Sequence, residues 1–129
     1  MTAGPPVVRT AACACGQLTA RCTGEPVSVS LCHCLDCQRR TGSPFGIAAF
    51  FDMASVSTGG ESAEFQRRGD SGFDIAFHFC PRCGGTVYWY PAAKPGYVAV
   101  AVGAFADPTF PKPTKSVYTD RRHPWLDMP

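Results

Sequence analysis

Seven of the eight cysteines in this chain lie in three short clusters, and this spacing constrains the fold more than any other feature. Gaps of one or two residues allow one turn of backbone to direct two sulfur atoms at one metal ion. Zinc takes four protein ligands in a closed structural site but three in a catalytic site, where one position stays open. The seven cysteines therefore predict two zinc sites, one structural and one catalytic. They are Cys13 and Cys15, then Cys32, Cys34 and Cys37, then Cys80 and Cys83.

The cysteines divide either into one outer set of four and one central set of three, or with the central cluster giving two ligands to each outer one. Local geometry favours the first division. The three central cysteines lie within six residues, so one turn can place all three sulfurs around an ion. Each outer cluster supplies two sulfurs, and joining the outer clusters closes a long loop, where a metal clip gains most. A three-sulfur site would keep an open position for Lewis-acid chemistry or for an incoming thiolate.

Composition indicates one soluble domain of short strands. The chain has 129 residues, of which 45% are hydrophobic and 17% charged, which fits a single domain. Twelve prolines and thirteen glycines favour frequent turns over long helices. We therefore expect a mainly β fold with little helix, consisting of a flexible N-terminal arm (residues 1–11) and a zinc-binding domain (residues 12–129).

Alternation of polar and apolar residues places the expected elements. Strands are predicted at residues 17–22, 27–31, 73–79, 86–90 and 97–102, with a buried apolar strand at 45–51 and weaker ones near Val56, Phe65 and Val117. Residues 34–41 are predicted as a short helix that ends at Gly42. The strands at 27–31 and 73–79 both lead directly into cysteine clusters.

Charge and hydropathy argue against several classes of protein. A net charge of +2 is too small to indicate a nucleic-acid partner. The longest apolar runs fall well short of the roughly 18 residues needed to span a membrane, and the start lacks a signal-peptide pattern. We expect a cytoplasmic protein, in which clustered cysteines are metal ligands rather than disulfides. A redox dithiol at Cys34 and Cys37 is a lesser alternative.

Other residues near the clusters have several interpretations. His33 is expected to serve the pocket rather than the metal, while the lone Cys22 is expected in the apolar core. Arg39 and Arg40 would either offset thiolate charge or form a solvated helix face. Nucleobase deaminase chemistry requires a His-x-Glu motif beside the ligands, and this sequence continues from His33 with Cys34 and Leu35. Four aromatic residues are candidates for either the pocket wall or the core, namely Phe45, Phe50, Tyr88 and Trp125.

Taken in order along the chain, these motifs resemble the glutathione-dependent formaldehyde-activating enzyme family, whose domain is shared with centromere protein V. The resemblance runs from about Ala12 to Leu126. Its strongest part is the stretch from Leu31 to Ser43, which reads LCHCLDCQRRTGS, and the closing His-Pro-Trp at residues 123–125 also fits. Three cysteine clusters in this order are a specific signal, whereas any one of them alone is weak.

The resemblance implies a single-domain β-tent of short twisted antiparallel sheets. It also implies two Zn²⁺ ions, one structural on Cys13, Cys15, Cys80 and Cys83, and one catalytic on Cys32, Cys34 and Cys37. The implied activity is a carbon–sulfur lyase reaction, in which glutathione adds to formaldehyde to give S-hydroxymethylglutathione. The alternative is a non-catalytic, zinc-stabilised binding module, because a fold is transferred more safely than a reaction.

Overall fold

The computed structural model describes residues 4–127. Over that range the chain is mainly β, with 42% strand, 14% helix, two sheets and one α-helix, which confirms the predicted fold class. The strands are β1 (Val8–Ala12), β2 (Thr19–Thr23), β3 (Ser28–Cys32), β4 (Gly46–Asp52), β5 (Val56–Gly59), β6 (Ala63–Arg68), β7 (Asp74–Phe79), β8 (Thr86–Pro91), β9 (Tyr97–Ala101) and β10 (Lys115–Val117). The helix α1 (Leu35–Thr41) follows β3, and three short 3-10 turns cover Met53–Ser55, Val102–Phe105 and Thr119–Arg121.

The smaller sheet is antiparallel and has the order β1-β2-β5. Residues 1–11 are predicted as a flexible arm, and for residues 8–11 that prediction is wrong, because β1 pairs with β2 along its whole length. Ala11 is fully buried there. Most residues of β1 are small or polar, so the hydrophobic pattern of this segment does not predict a strand. Residues 1–3 of the predicted arm lie outside the described residues.

The larger sheet has seven strands in the order β10-β3-β4-β9-β8-β7-β6. All its pairs are antiparallel except that of β10 with β3, which is parallel. The chain between residues 105 and 114 is rich in proline and returns β10 to the β3 edge in the same direction. Parallel pairing places Lys115 beside Ser30 and Val117 beside Cys32.

One face of β4 supplies the main core, which also contains residues of the smaller sheet. Ala49 and Phe51 point into it, and Phe51 is 1% exposed. Burial of one such aromatic side chain contributes about 1.5–3 kcal/mol. Cys22 is fully buried in the same core, as predicted for an apolar residue.

The opposite face of β4 carries a second, smaller apolar cluster. Ala48 and Phe50 pack there against Phe77, Trp89 and Ala99. Because both faces of the strand are covered, the sequence of β4 is a continuous apolar run rather than an alternating one. This second face is the one that borders the central cysteines.

The helix α1 begins one residue after the predicted start and ends, as predicted, before Gly42. Cys34 is its N-cap, and the Cys34 sulfur accepts a hydrogen bond from the Cys37 amide. Gly42 ends the helix with a φ of 69°, a conformation that glycine adopts without steric cost. Within residues 4–127, no helix is long and apolar enough to cross a membrane.

Candidate metal centres and the adjoining cavity

The structure brings the four outer cysteines together. Cys13 and Cys15 lie in the loop between β1 and β2, whereas Cys80 and Cys83 lie in the turn between β7 and β8. Their four sulfur atoms lie within 4.8 Å of one another. The Cys15 sulfur is 3.6 Å from those of both Cys13 and Cys80. This arrangement joins the two sheets at one point.

Hydrogen-bond donors surround the sulfurs of this cluster. The Leu18 amide donates to the Cys13 sulfur at 3.3 Å, and the Gln17 side chain donates to the Cys80 sulfur at 2.9 Å. Burial opposes ionisation of Cys80, but hydrogen bonds from Gln17 and from the backbone amides of Cys83 and Arg82 lower its pKa to about 6. Such donors stabilise thiolate, which is the form that ligates a metal ion.

The three central cysteines form a second, separate cluster. Cys32 ends β3, Cys34 caps α1, and Cys37 lies in the first turn of that helix. Their sulfur atoms also lie within 4.8 Å of one another. Hydrogen bonds with Cys32 and Cys34 and the positive charge of Arg40 lower the pKa of Cys37 to about 3.

The donor sets of both clusters fit a thiophilic metal ion. All eight cysteines lie in the described range, and none of them is in a disulfide. Four sulfurs at one site and three at the other are compatible with zinc, which prefers tetrahedral thiolate coordination. Both clusters could therefore hold metal ions.

The two clusters differ in what lies next to them. The central cysteines line a cavity of about 280 Å³, whereas the four outer cysteines do not. One face of the larger sheet forms its wall, and five of the seven strands each contribute two residues that lie two positions apart. These wall residues are Ser30 and Cys32, Ala48 and Phe50, Ile75 and Phe77, Trp89 and Pro91, and Lys115 and Val117.

The structure separates the roles of the two neighbouring arginines on α1. Arg40 lies with its guanidinium 4.4 Å from the centre of the Trp89 ring and beside Cys37, so that its charge faces the central cluster. Arg39 is exposed. Arg40 is thus placed to offset thiolate charge, whereas Arg39 belongs to the solvated face of the helix.

An ion pair joins the helix α1 to β6. Arg67 donates to Asp36 at 3.2 Å, and its guanidinium lies 5.0 Å from the centre of the Phe77 ring. Arg67 lines the cavity, but its charge is paired with the Asp36 carboxylate.

His33 is fully buried but does not line the cavity. Its ring is tilted against Phe45 at 6.5 Å between centroids, and neither ring nitrogen has a hydrogen-bond partner among residues 4–127. Burial, with the charges of Arg122 and His123, lowers the pKa of His33. His33 therefore does not line this cavity, and the alternative of an ordinary exposed histidine is wrong as well.

Spacing gave no sign of several residues that line the cavity. Lys94 and Lys115 line it, and so do Asp70, Ser71 and Tyr118. Tyr118 lies one residue beyond β10 and has a φ of 54°, which is unusual for a bulky side chain and costs about 1–3 kcal/mol. Burial and nearby Asp70, Cys32 and Cys34 raise the pKa of Tyr118.

The four aromatic candidates fall in different places. Phe50 lines the cavity, Tyr88 is buried in the main core, and Phe45 packs near His33. Trp125 is 69% exposed and contacts the ring of His123 edge-on.

Comparison with known proteins identifies the family. Residues 8–121 match the model of the family described as glutathione-dependent formaldehyde-activating enzyme. The match covers most of the chain, so the chain belongs to this family, as the resemblance of its cysteine motifs predicts.

Comparison with single proteins adds information on the fold. The fold is similar to the crystal structure of a Rhodobacter sphaeroides protein determined as a structural genomics target, with a TM-score of 0.58 and 20% sequence identity. The similarity covers 74% of this chain and 85% of that chain, and at this identity it concerns the fold alone. No curated protein sequence matches.

Proposed function

We propose that this protein is a zinc-dependent carbon–sulfur lyase that forms or cleaves the adduct of a small thiol with an aldehyde. The leading pair is glutathione and formaldehyde, with S-hydroxymethylglutathione as the adduct. Family membership supports this substrate pair. The proposal includes two zinc ions per chain, one structural on the outer cysteines and one catalytic on the central cysteines. It also places the protein in the cytoplasm, where clustered cysteines stay reduced.

One observation carries the proposal: the three-cysteine cluster lines a cavity of about 280 Å³, and the four outer cysteines do not line that cavity. A closed set of four sulfurs suits a structural metal ion, whereas three sulfurs leave a position for a substrate atom. A metal ion held by the central cysteines would have that position beside the cavity, where a small molecule could reach it.

The reaction joins the thiol sulfur to the aldehyde carbon, and the thiol proton ends on the former carbonyl oxygen. A zinc ion held by Cys32, Cys34 and Cys37 would supply Lewis-acid chemistry and would lower the pKa of the substrate thiol. The reverse reaction breaks the same carbon–sulfur bond and returns the proton to sulfur.

Residues of the chain itself prepare the site for this chemistry. Arg40 places a positive charge beside Cys37 and so offsets negative charge that accumulates on sulfur. Phe50, Phe77 and Trp89 form an apolar wall that keeps water from the substrate sulfur. Tyr118 also lines the cavity, where its hydroxyl interacts with Ser71 and can exchange a proton with the adduct oxygen.

Exchange NMR of a glutathione and formaldehyde mixture tests the activity. We expect zinc-loaded wild-type protein to accelerate adduct exchange, Cys37→Ser to abolish the acceleration, and Cys22→Ala to retain it. Cys22 is a suitable control because it is buried outside both clusters. An exchange rate equal to the uncatalysed one, with both clusters loaded, would contradict the proposal and favour the non-catalytic binding module.

A further inference from the structure

The cavity beside the central cysteines is also lined by two lysines. Lys94 and Lys115 both line it, and the Lys94 amine lies 4.1 Å from the centre of the Phe50 ring. Among the described residues, neither lysine makes an ion pair. Burial and the charge of Lys115 lower the pKa of Lys94, as expected of two cations that lie near each other.

Strand register gives the distance between these cations and the cysteines. Lys115 pairs with Ser30, two residues before Cys32 on β3, and Phe50 pairs with Ser28, four residues before it. At about 3.3 Å per residue, Lys115 lies about 7 Å from the level of Cys32, and the Phe50 ring beneath Lys94 lies about 13 Å from it. A peptide of three residues spans about 10 Å.

The other charged residues of the cavity limit further which ligands can bind there. Arg67 is already paired with Asp36, so the charges left for a ligand are the two lysines and the Asp70 carboxylate. Two cations and one anion complement a molecule with two carboxylates and one ammonium group. A neutral thiol has no charged group that could pair with these side chains.

We propose that Lys94 and Lys115 determine the thiol specificity of this site by binding the carboxylates of an anionic peptide thiol. Asp70 lies in the same cavity and is placed to accept the ammonium group of that ligand. The inference rests on the proposed function in that it takes the sulfur of the ligand to lie at Cys32, Cys34 and Cys37. The recognition itself is independent of catalysis.

Calorimetric titration with S-methylglutathione at low ionic strength tests the proposal. The methylated sulfur has no acidic proton, so its binding reports the charged groups of the ligand. We expect Lys94→Gln and Lys115→Gln each to weaken binding about fivefold, and the double variant roughly 20-fold. The diethyl ester of the same ligand lacks both carboxylates and should bind weakly and equally to all variants. Lys112→Gln is the matched control, since Lys112 is exposed and does not line the cavity.

The outcomes separate this inference from the proposed function. The recognition by the lysines would be overturned if the lysine variants bound S-methylglutathione as tightly as wild type does. It would also be overturned if the wild-type protein did not bind this ligand at millimolar concentration. Charge-dependent binding without catalysed adduct exchange would support the recognition by the lysines while contradicting the lyase activity. Equal loss in the Lys112→Gln control would also overturn it, because the effect would then be one of net charge.

Discussion

The side-chain amide of Gln17 donates one hydrogen bond to the Cys80 sulfur at 2.9 Å and another to the Glu61 carbonyl oxygen at 2.8 Å. Its oxygen accepts from the Glu61 amide at 2.8 Å. One side chain thus ties the loop after β5 to the four-cysteine cluster. Outer partners of this kind orient metal ligands and tune their basicity.

Replacing Gln17 should therefore weaken both the fold and the metal site. Gln17→Ala leaves a buried sulfur without its strongest side-chain donor, and we expect a loss of about 1–3 kcal/mol in unfolding free energy. Zinc affinity at the outer cysteines should fall about 10–100-fold. Urea denaturation and chelator competition measure the two effects. Gln66→Ala is the control, since Gln66 is exposed and bonds only to Asp74; equal losses in both variants would contradict the role of Gln17.

Gly60 is required by a close approach as well as by its backbone angle. Its φ is 86°, and a Cβ atom there would collide with the Gln17 carbonyl oxygen. Gly24 has a φ of 87° with open space around it, so a substitution at Gly24 measures the cost of the backbone angle without a collision. We expect Gly24→Ala to lose about 1–2 kcal/mol and Gly60→Ala about 3 kcal/mol or more, measured by urea unfolding. Equal losses would show that the collision is relieved without cost.

Gln38 joins the helix α1 to the C-terminal segment. Its amide donates to the carbonyl oxygens of His33 and Arg121, and its oxygen lies 3.0 Å from His123 Nε2. Gln38→Ala should release this segment, seen as faster hydrogen exchange of the Arg122 and Leu126 amides. Arg39→Ala changes an exposed neighbour on the same helix and should leave exchange unaltered. Unchanged protection in Gln38→Ala would contradict the link.

Tyr118 combines backbone strain with a place on the cavity wall. Asparagine tolerates a positive φ better than tyrosine, so Tyr118→Asn should keep or raise stability by up to about 1 kcal/mol. Adduct exchange should nevertheless fall about tenfold, because the cavity loses the hydroxyl. Ala106 has a similar φ of 50° and does not line the cavity. Ala106→Gly should stabilise the protein without loss of adduct exchange. Full activity in Tyr118→Asn would show that the Tyr118 hydroxyl takes no part in the reaction.

Local sequence pattern predicted the elements that carry the cysteines. Alternation placed β3 and β7 directly before their clusters, and Gly42 marked the end of α1, because both signals depend on neighbouring residues alone. Spacing also predicted which cysteines group together. The pairing of β1 was missed because its small, polar residues carry no alternation, and only contact with β2 defines it as a strand.

The cavity could not be predicted in the same way. Lys94 and Lys115 are 21 positions apart in the sequence and come together only through the order of strands in the larger sheet. The parallel pairing of β10 depends on the path of a proline-rich loop, which no local pattern specifies. His33 was misplaced for a related reason, since its burial depends on how Phe45 and the C-terminal segment pack around it.

Zinc content per chain, measured by elemental analysis on wild type and on Cys37→Ser, tests the central claim most directly. The claim is that the three-cysteine cluster is a metal site separate from the one that holds the fold. We predict about two zinc ions in wild type and about one in a still-folded Cys37→Ser. One zinc ion in wild type, unchanged in the variant, would contradict the claim and leave the cavity without a metal centre.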